Sequence, residues 1–340
     1  MPRIKKLIVE KFLTDQEVKN LKGCFMDESY MKFPVIQSNI DVYYIDDNGN
    51  EKLLLKYRKN ALTDNEIRLG WNSYKDLAKP SRGRGASAGP IDPGNDYWKK
   101  RKLHNTSKWS TSYLKADGTP SKMRVNNQVF SNPIGFFSEN KNFCELPCRL
   151  THFTRTYFEK YNEGIPFLQK IDSLYKKLTP EQHSKQLERA NLKPHLKIKD
   201  TAFSTITINR NFRTALHKDK GDFSEGFGNL TVIERGKYHG GYTIFPQYGV
   251  AIDLRNNDFV AMDVHQWHCN TPIYETEEDK IFNESLEPVF KDNPEVGTEG
   301  IYEKYTRISF VCYLREKIAT CPDKIDPRFL TKSGHGKIIV

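Results

Sequence analysis

The sequence predicts a mainly β protein with flanking helices, an α+β chain built round one sandwich or barrel of jelly-roll type. Three observations lead there. After Lys199 the segments AFSTITIN, GNLTVIER, GYTIF, YGVAIDL, DFVAMDV and TRISFVCYL are short and rich in β-branched and aromatic residues, with Gly, Asn and Asp turns between them. Before Lys199 the chain alternates helix signals with long polar stretches. A length of 340 residues suits one large β domain with elaborations.

From the N-terminus, Thr14-Asp15-Gln16-Glu17 reads as a capping box, in which threonine and glutamate each satisfy a free amide at the start of a helix. From Gly70 to about Asn140 the chain reads as loop, with PSRGRGASAGPIDPGNDYWKKRKLHNTSKW rich in Gly, Pro, Ser and basic residues. A loop of that length in a compact protein is functional or disordered. A helix is expected over Pro166 to Leu178. Thr179-Pro180-Glu181-Gln182 caps the next, with proline in its first turn. The expected organisation is one domain over 1–340. In it an elaboration at 1–199 carries a basic loop at 80–110, a β core at 200–317 carries an acidic insert at 274–300, and a tail covers 318–340. The insert, with Glu275, Glu277, Glu278 and Asp279 at its start, reads as a solvated surface segment and a candidate lid.

The formal net charge is +10, from 53 basic and 43 acidic residues. Such a surplus attracts polyanions, nucleic acid first among them. Mean hydropathy is −0.70, and no apolar run approaches the roughly 18 residues of a membrane span. The opening MPRIKKLIVEKFL lacks the long apolar stretch of a secretory signal. A soluble intracellular monomer, in cytoplasm or nucleus and away from membranes, is therefore expected. Cys24, Cys144, Cys148, Cys269, Cys312 and Cys321 are scattered, and only Cys144 and Cys148 are near neighbours. No second pair completes a zinc site, so they read as thiols in a reducing compartment.

Chemistry concentrates at His217-Lys218-Asp219. Two residues apart on an extended segment, the imidazole and the carboxylate share one side. About fifty residues on, HQWH offers a second imidazole, and spacing alone does not separate His265 from His268. Two histidines and one carboxylate on one face leave three positions of an octahedral metal open, as non-haem Fe(II) oxygenases require. A 2-oxo acid fills two of these and O2 the third. Thr306-Arg307-Ile308-Ser309 completes the pattern: an arginine on a strand grips a distal carboxylate bidentately, and Ser309 adds a hydroxyl. The remaining histidines read as ordinary.

The stretches ITINRNFRTALHKDKGD, GGYTIFPQYGVAIDLRNNDFVAMDVHQWHCNTP and TRISFVCYLRE resemble the TET/JBP family of nucleic-acid-base dioxygenases. They are most similar to the thymine hydroxylase domain of the base-J enzymes and to compact viral members. The likeness is strong over 200–315 and extends upstream through RGRGASAG, SNPIGFF and KKLTPEQ. It implies a double-stranded β-helix, the cupin-like jelly roll of these dioxygenases. It also implies Fe(II), 2-oxoglutarate and O2, with ascorbate as reductant. The family's metal histidine matches His268, giving His217, Asp219 and His268 as ligands. Its 2-oxoglutarate residues match Arg307 and Ser309, and its aromatic near the base matches Tyr313. The base-contacting residue falls on Asp222, where TET enzymes carry asparagine. The zinc-binding cysteine region of the animal enzymes is missing, so no structural zinc is expected. The implied reaction is hydroxylation of the methyl group of 5-methylcytosine or thymine in DNA.

A methyl on a stacked base cannot reach an enclosed iron, so the base must be flipped or single-stranded. Tyr97, Trp98, Lys99, Lys100, Arg101, Lys102, His104 and Trp109 interleave aromatic and basic groups, which suits phosphate contact with stacking. Arg82 and Arg84, among glycines, suit phosphate or cofactor. Two other readings stand beside this one: a 2-oxoglutarate-dependent hydroxylase of a protein side chain or small metabolite, and a catalytically inactive β-barrel binding or virion module.

Overall fold

The computed structural model describes residues 4–77, 79–92, 96–99, 101–107, 110–140, 146–287, 289, 305–326 and 329–330. Its framework is a ten-stranded sheet. From one edge the strands run Lys5–Val9, Ile40–Ile45, Glu51–Arg58, Phe259–Met262, Gly228–Arg235, Thr306–Tyr313, Thr205–Arg210, Val129–Phe137 and Pro80–Ser81. Arg149–Leu150 joins the far end of Val129–Phe137. A small sheet of Val250–Ile252, Thr243–Phe245 and Cys269–Asn270 packs on it, with Phe245, Val250 and Ile252 meeting Leu230, Val232, Val260 and Met262. This is the jelly roll the sequence predicts.

Side-chain alternation divides the large sheet into two chemistries. Along Thr306–Tyr313, Ile308, Phe310 and Cys312 point into a core shared with helices. Arg307, Ser309, Val311 and Tyr313 point the other way, into a cavity between the sheets. Thr205–Arg210 repeats the pattern, with Ile206 and Ile208 toward the helices and Thr207 and Asn209 toward the cavity. The helices Asp64–Tyr74 and Ile165–Leu178 cover the apolar face with Ile67, Tyr74, Phe167, Leu168, Ile171 and Tyr175. Each such side chain, fully buried, contributes about 1.5–3 kcal/mol. Gly70 lets the first helix sit close, since a Cβ there would lie 2.9 Å from both Ile233 and Phe167.

Asp15–Asn20 opens with the expected capping box between Thr14 and Glu17. The helix Ile165–Leu178 matches its expected span, and Pro180–Ala190 follows it. Thr179 does not cap with its side chain: its hydroxyl donates to the Tyr175 carbonyl, finishing the preceding helix instead.

The stretch read as loop from Gly70 to Asn140 is largely ordered secondary structure. Leu103–Ser107, Ser110–Leu114 and Pro120–Val125 form a three-stranded sheet, and Val129–Phe137 belongs to the large one. Pro133 and Gly135 disguised that strand. Pro133 is tolerated because Pro80–Ser81 pairs only with Val129 and Phe130 and Arg149–Leu150 only with Phe136 and Phe137, so nothing asks for its missing N–H. Gly135 has φ +90°, and a Cβ there would lie 2.3 Å from the Ser204 carbonyl oxygen. The expected core boundary at 200 consequently falls inside the sheet, which also draws strands from the first 150 residues.

Within the acidic insert, Ile273–Tyr274 pairs with His239–Gly240, and Glu277–Glu284 is a helix capped by Thr276 and Asp279. Residues 288 and 290–300 of the insert, 301–304 after it, and 327, 328 and 331–340 of the tail lie outside the described residues. Not all the cysteines are thiols. Cys148 and Cys321 form a disulfide across 173 residues of sequence, a separation at which local spacing gives no signal. Cys24, Cys269 and Cys312 are free, and Cys144 lies outside the described residues. Among the described residues no helix is long and apolar enough to cross a membrane.

Candidate active site

Backbone pairing assembles the cluster. Past Arg210 the chain leaves the large sheet and crosses to the small one, where His217 and His268 exchange backbone hydrogen bonds of 3.1 and 3.0 Å. Asp219 N–H donates to the Val264 carbonyl at 3.1 Å. These ties bring together two segments about fifty residues apart.

The side chains then converge. Asp219 Oδ1 lies 3.6 Å from His217 Nε2, and Asp219 Oδ2 lies 3.6 Å from His268 Nε2. One ligand atom from each residue falls within a 4.8 Å cluster. His217 Nδ1 stands 2.8 Å from the Ala215 carbonyl and His268 Nδ1 2.9 Å from the Gln266 carbonyl. A carbonyl only accepts, so each Nδ1 carries a proton, which leaves each Nε2 as the nitrogen that faces Asp219 and binds a metal once unprotonated. Burial, reinforced by His268, pushes His217 down to about 4. Burial also acts against ionisation of Asp219, but His268, His217 and Arg84 outweigh it and hold the carboxyl below its usual range. At neutral pH the cluster therefore offers a neutral His217 and an ionised Asp219. Two imidazole nitrogens and a carboxylate oxygen on one side are a donor set for non-haem iron. His265 stands apart, with Nε2 3.1 Å from the Phe223 carbonyl and its N–H on Asp263 Oδ1.

Arg307 and Ser309 line the same cavity of about 260 Å³. Arg307 is only 4% exposed, and its Nε has no protein partner. Its backbone is clamped by Asn211, whose Oδ1 accepts the Arg307 N–H at 2.7 Å. A buried guanidinium with an unused donor among Leu230, Val311 and Met262 fits a carboxylate, because low polarity strengthens the pair. The fit to a 2-oxo acid rests on this orphaned donor.

A polar relay that sequence reading missed crosses the sheet. Arg84 Nε donates to Ser131 Oγ at 2.5 Å, Ser131 Oγ to Asn209 Oδ1 at 2.5 Å, and Asn209 Nδ2 to Ser309 Oγ at 3.2 Å. Arg84 Nη2 also reaches Thr207 Oγ1 at 3.1 Å, which is 3.2 Å from the Tyr313 hydroxyl. The signal was present in AFSTITIN, where Thr207 and Asn209 alternate with Ile206 and Ile208 on a strand otherwise made for burial. Asp222 lines the cavity too. Burial and then the Asp219 charge raise its carboxyl well above the ordinary value, against the opposing Arg315 and Arg84. That favours the protonated acid, which donates a hydrogen bond as an amide would.

Of the outer residues expected to touch substrate, Arg84 reaches the cavity and Arg82 does not line it. Trp98 is 1% exposed and packs with Ile91 and Val125, so it anchors a small core and offers no face for a base. Arg82 and Arg101 lie over its ring at 5.7 and 5.8 Å. Lys99 and Lys102 are exposed, while Lys100, Trp109 and the Tyr97 side chain lie outside the described residues. Near Lys220, which lines the cavity, burial and then the Lys220 and Arg124 charges push Lys22 down, which marks a concentration of positive charge.

Residues 117–316 match the family model Tet_JBP, described as the oxygenase domain of the 2OGFeDO superfamily. The chain is 32% identical over 177 residues to thymine dioxygenase JBP1 of Trypanosoma brucei brucei, covering 52% of this chain and 21% of that protein. It is 32% identical over 182 residues to the bifunctional helicase and thymine dioxygenase JBP2 of Leishmania infantum, covering 54% of this chain and 14% of that one. The chain thus matches about a fifth or less of the length of these relatives. Among solved structures it is similar to NgTET1 in complex with 5mC DNA, at 12% identity and TM-score 0.48, over 91% of this chain and 94% of that one.

Proposed function

Because this chain belongs to the Tet_JBP family, the oxygenase domain of the 2OGFeDO superfamily, we propose that it hydroxylates the methyl group of a 5-methylpyrimidine in DNA, 5-methylcytosine or thymine. The observation that carries this reading is one cavity lined by His217, Asp219, His268, Arg307 and Ser309.

His217 Nε2, a carboxylate oxygen of Asp219 and His268 Nε2 would hold Fe(II). Arg307 would take the distal carboxylate of 2-oxoglutarate, with Ser309 beside it. The iron, with 2-oxoglutarate and O2, supplies oxidation of a C–H bond coupled to release of succinate and CO2. The protein contributes position. Ala215 and Gln266 hold the imidazoles in the ligating tautomer. Leu230, Met262 and Val311 exclude water around the cosubstrate's chain. Tyr313 and protonated Asp222, on the Arg84 side, would face the base. The charges of Arg84, Arg315 and Lys220 round the cavity favour a polyanionic substrate. The expected setting is a monomer acting without structural zinc on DNA of the nucleus or cytoplasm.

Nucleoside mass spectrometry tests the reading, with Fe(II), ascorbate and 2-oxoglutarate, on DNA with and without 5-methylcytosine. 5-Hydroxymethylcytosine appearing only on methylated DNA makes methylcytosine the substrate, and 5-hydroxymethyluracil makes it thymine. Succinate without either product leaves a dioxygenase and removes DNA as its substrate.

A further inference from the structure

We propose that Arg149 and Arg315, which lie over the same Phe137 ring beside the cavity that Arg315 lines, form a clamp for a DNA phosphodiester beside the base that enters the site. This rests on the DNA reading above.

The two guanidinium carbons each lie 5.1 Å from the Phe137 ring centroid. Two cations sharing one ring repel each other, and burial followed by the Arg315 charge pushes Arg149 down. A neighbouring carboxylate is the usual relief, yet among the described residues neither arginine has one within ion-pair distance. Arg149 Nη1 donates to the Pro147 carbonyl at 2.9 Å, which orients the fork and leaves its other N–H groups for a ligand. Arg315 lines the cavity, and its Nε is buried without a partner. A planar fork with unused donors suits phosphate oxygens better than a point charge does.

Position decides which anion. Arg315 lies beyond Tyr313, and Tyr313 is six residues along the strand from Arg307, about 20 Å at ~3.3 Å per residue. A 2-oxoglutarate held by Arg307 does not reach that far. Arg315 instead adjoins Asp222, with which it forms an isolated bridge, and Tyr313, the groups proposed to face the base. A nucleotide whose base enters there leaves its phosphate at the rim. The clamp is also braced. Phe137 pairs with Arg149 in the sheet, and the Cys148–Cys321 disulfide joins the segments carrying the two arginines.

The test is fluorescence anisotropy of the full chain with a labelled duplex containing 5-methylcytosine, from about 50 to about 200 mM salt. Arg149→Ala should bind several-fold more weakly, with the slope of log K against log salt shallower by about 0.9, one phosphate contact. Arg149→Lys should keep the wild-type slope and bind less tightly, because the charge stays and the fork is lost. Thermal midpoints verify that each variant folds. Wild-type affinity and slope in Arg149→Ala overturn the clamp alone, as does weakened binding with an unchanged slope. If the wild-type protein binds no duplex while still forming succinate, the clamp and the DNA substrate fall together.

Discussion

Replacing Arg307 by alanine tests the cosubstrate pocket directly. The guanidinium is 4% exposed, its Nε is unpaired, and it shares a wall with Leu230 and Val311. A hydrogen bond to a charged group contributes about 1.5–3 kcal/mol, so a bidentate grip on one carboxylate is worth about 3–5 kcal/mol. At 1.4 kcal/mol per factor of ten, Arg307→Ala should weaken 2-oxoglutarate binding by roughly 100-fold or more. Arg307→Lys, which keeps charge without the fork, should fall in between. Calorimetric titration of metal-loaded protein reads the affinity, and succinate formation reads the apparent KM. The protein without cosubstrate should keep its thermal midpoint or gain slightly, since a buried and incompletely paired charge disappears. Wild type should gain thermal stability on adding 2-oxoglutarate, and the variant should not. An affinity within about threefold of wild type would refute the assignment and place the distal carboxylate elsewhere, because no single lost contact of this strength costs so little.

Three further outcomes are expected. His268→Ala should lose iron by elemental analysis and lose succinate formation, while His265→Ala keeps both; the reverse result would exchange the ligands. Asp222→Asn should raise the thermal midpoint at neutral pH and leave it nearly unchanged below the ordinary aspartate value. The sign follows from its raised folded pKa. Unfolded Asp222 ionises first as pH rises, so the folded state is penalised above that point, and asparagine carries no such penalty. A midpoint gain equal at both pH values would contradict this. Cys148→Ser should destabilise the chain by about 2–5 kcal/mol in non-reducing urea unfolding, since the crosslink closes a long loop. If dithiothreitol leaves the wild-type transition in place, the disulfide does not contribute to stability.

Much of this was legible in the sequence because it obeys short periods. TRISFVCYL alternates a cavity face with a helix-facing one, so the sequence alone places Arg307 and Ser309 on one side of the strand. His217 and Asp219 were readable for the same reason. What separates His268 from His265 is a pair of carbonyl contacts, one at Gln266 and one at Phe223, which leave no trace in spacing. Val129–Phe137 was hidden by Pro133 and Gly135, each permitted by a local vacancy in pairing or a positive φ that only the assembled sheet reveals. The Cys148–Cys321 link and the Arg84–Ser131–Asn209–Ser309 relay join distant segments, and no local pattern announces such contacts. Trp98 looked like a stacking platform because aromatic residues among lysines read alike whether they face solvent or a small core.

The strand bearing Arg307 lies between Gly228–Arg235 and Thr205–Arg210, yet about 70 residues separate it in sequence from the nearer of the two. At roughly 5–20 residues per second, a ribosome takes on the order of 4–14 s to cross from the end of Gly228–Arg235 to Thr306. Throughout that interval the nascent chain holds two strands with open edges where the missing one belongs, and open edges invite pairing with other chains. Premature termination shortly before residue 306 would therefore yield an adhesive, unfinished sheet and no weakly active enzyme.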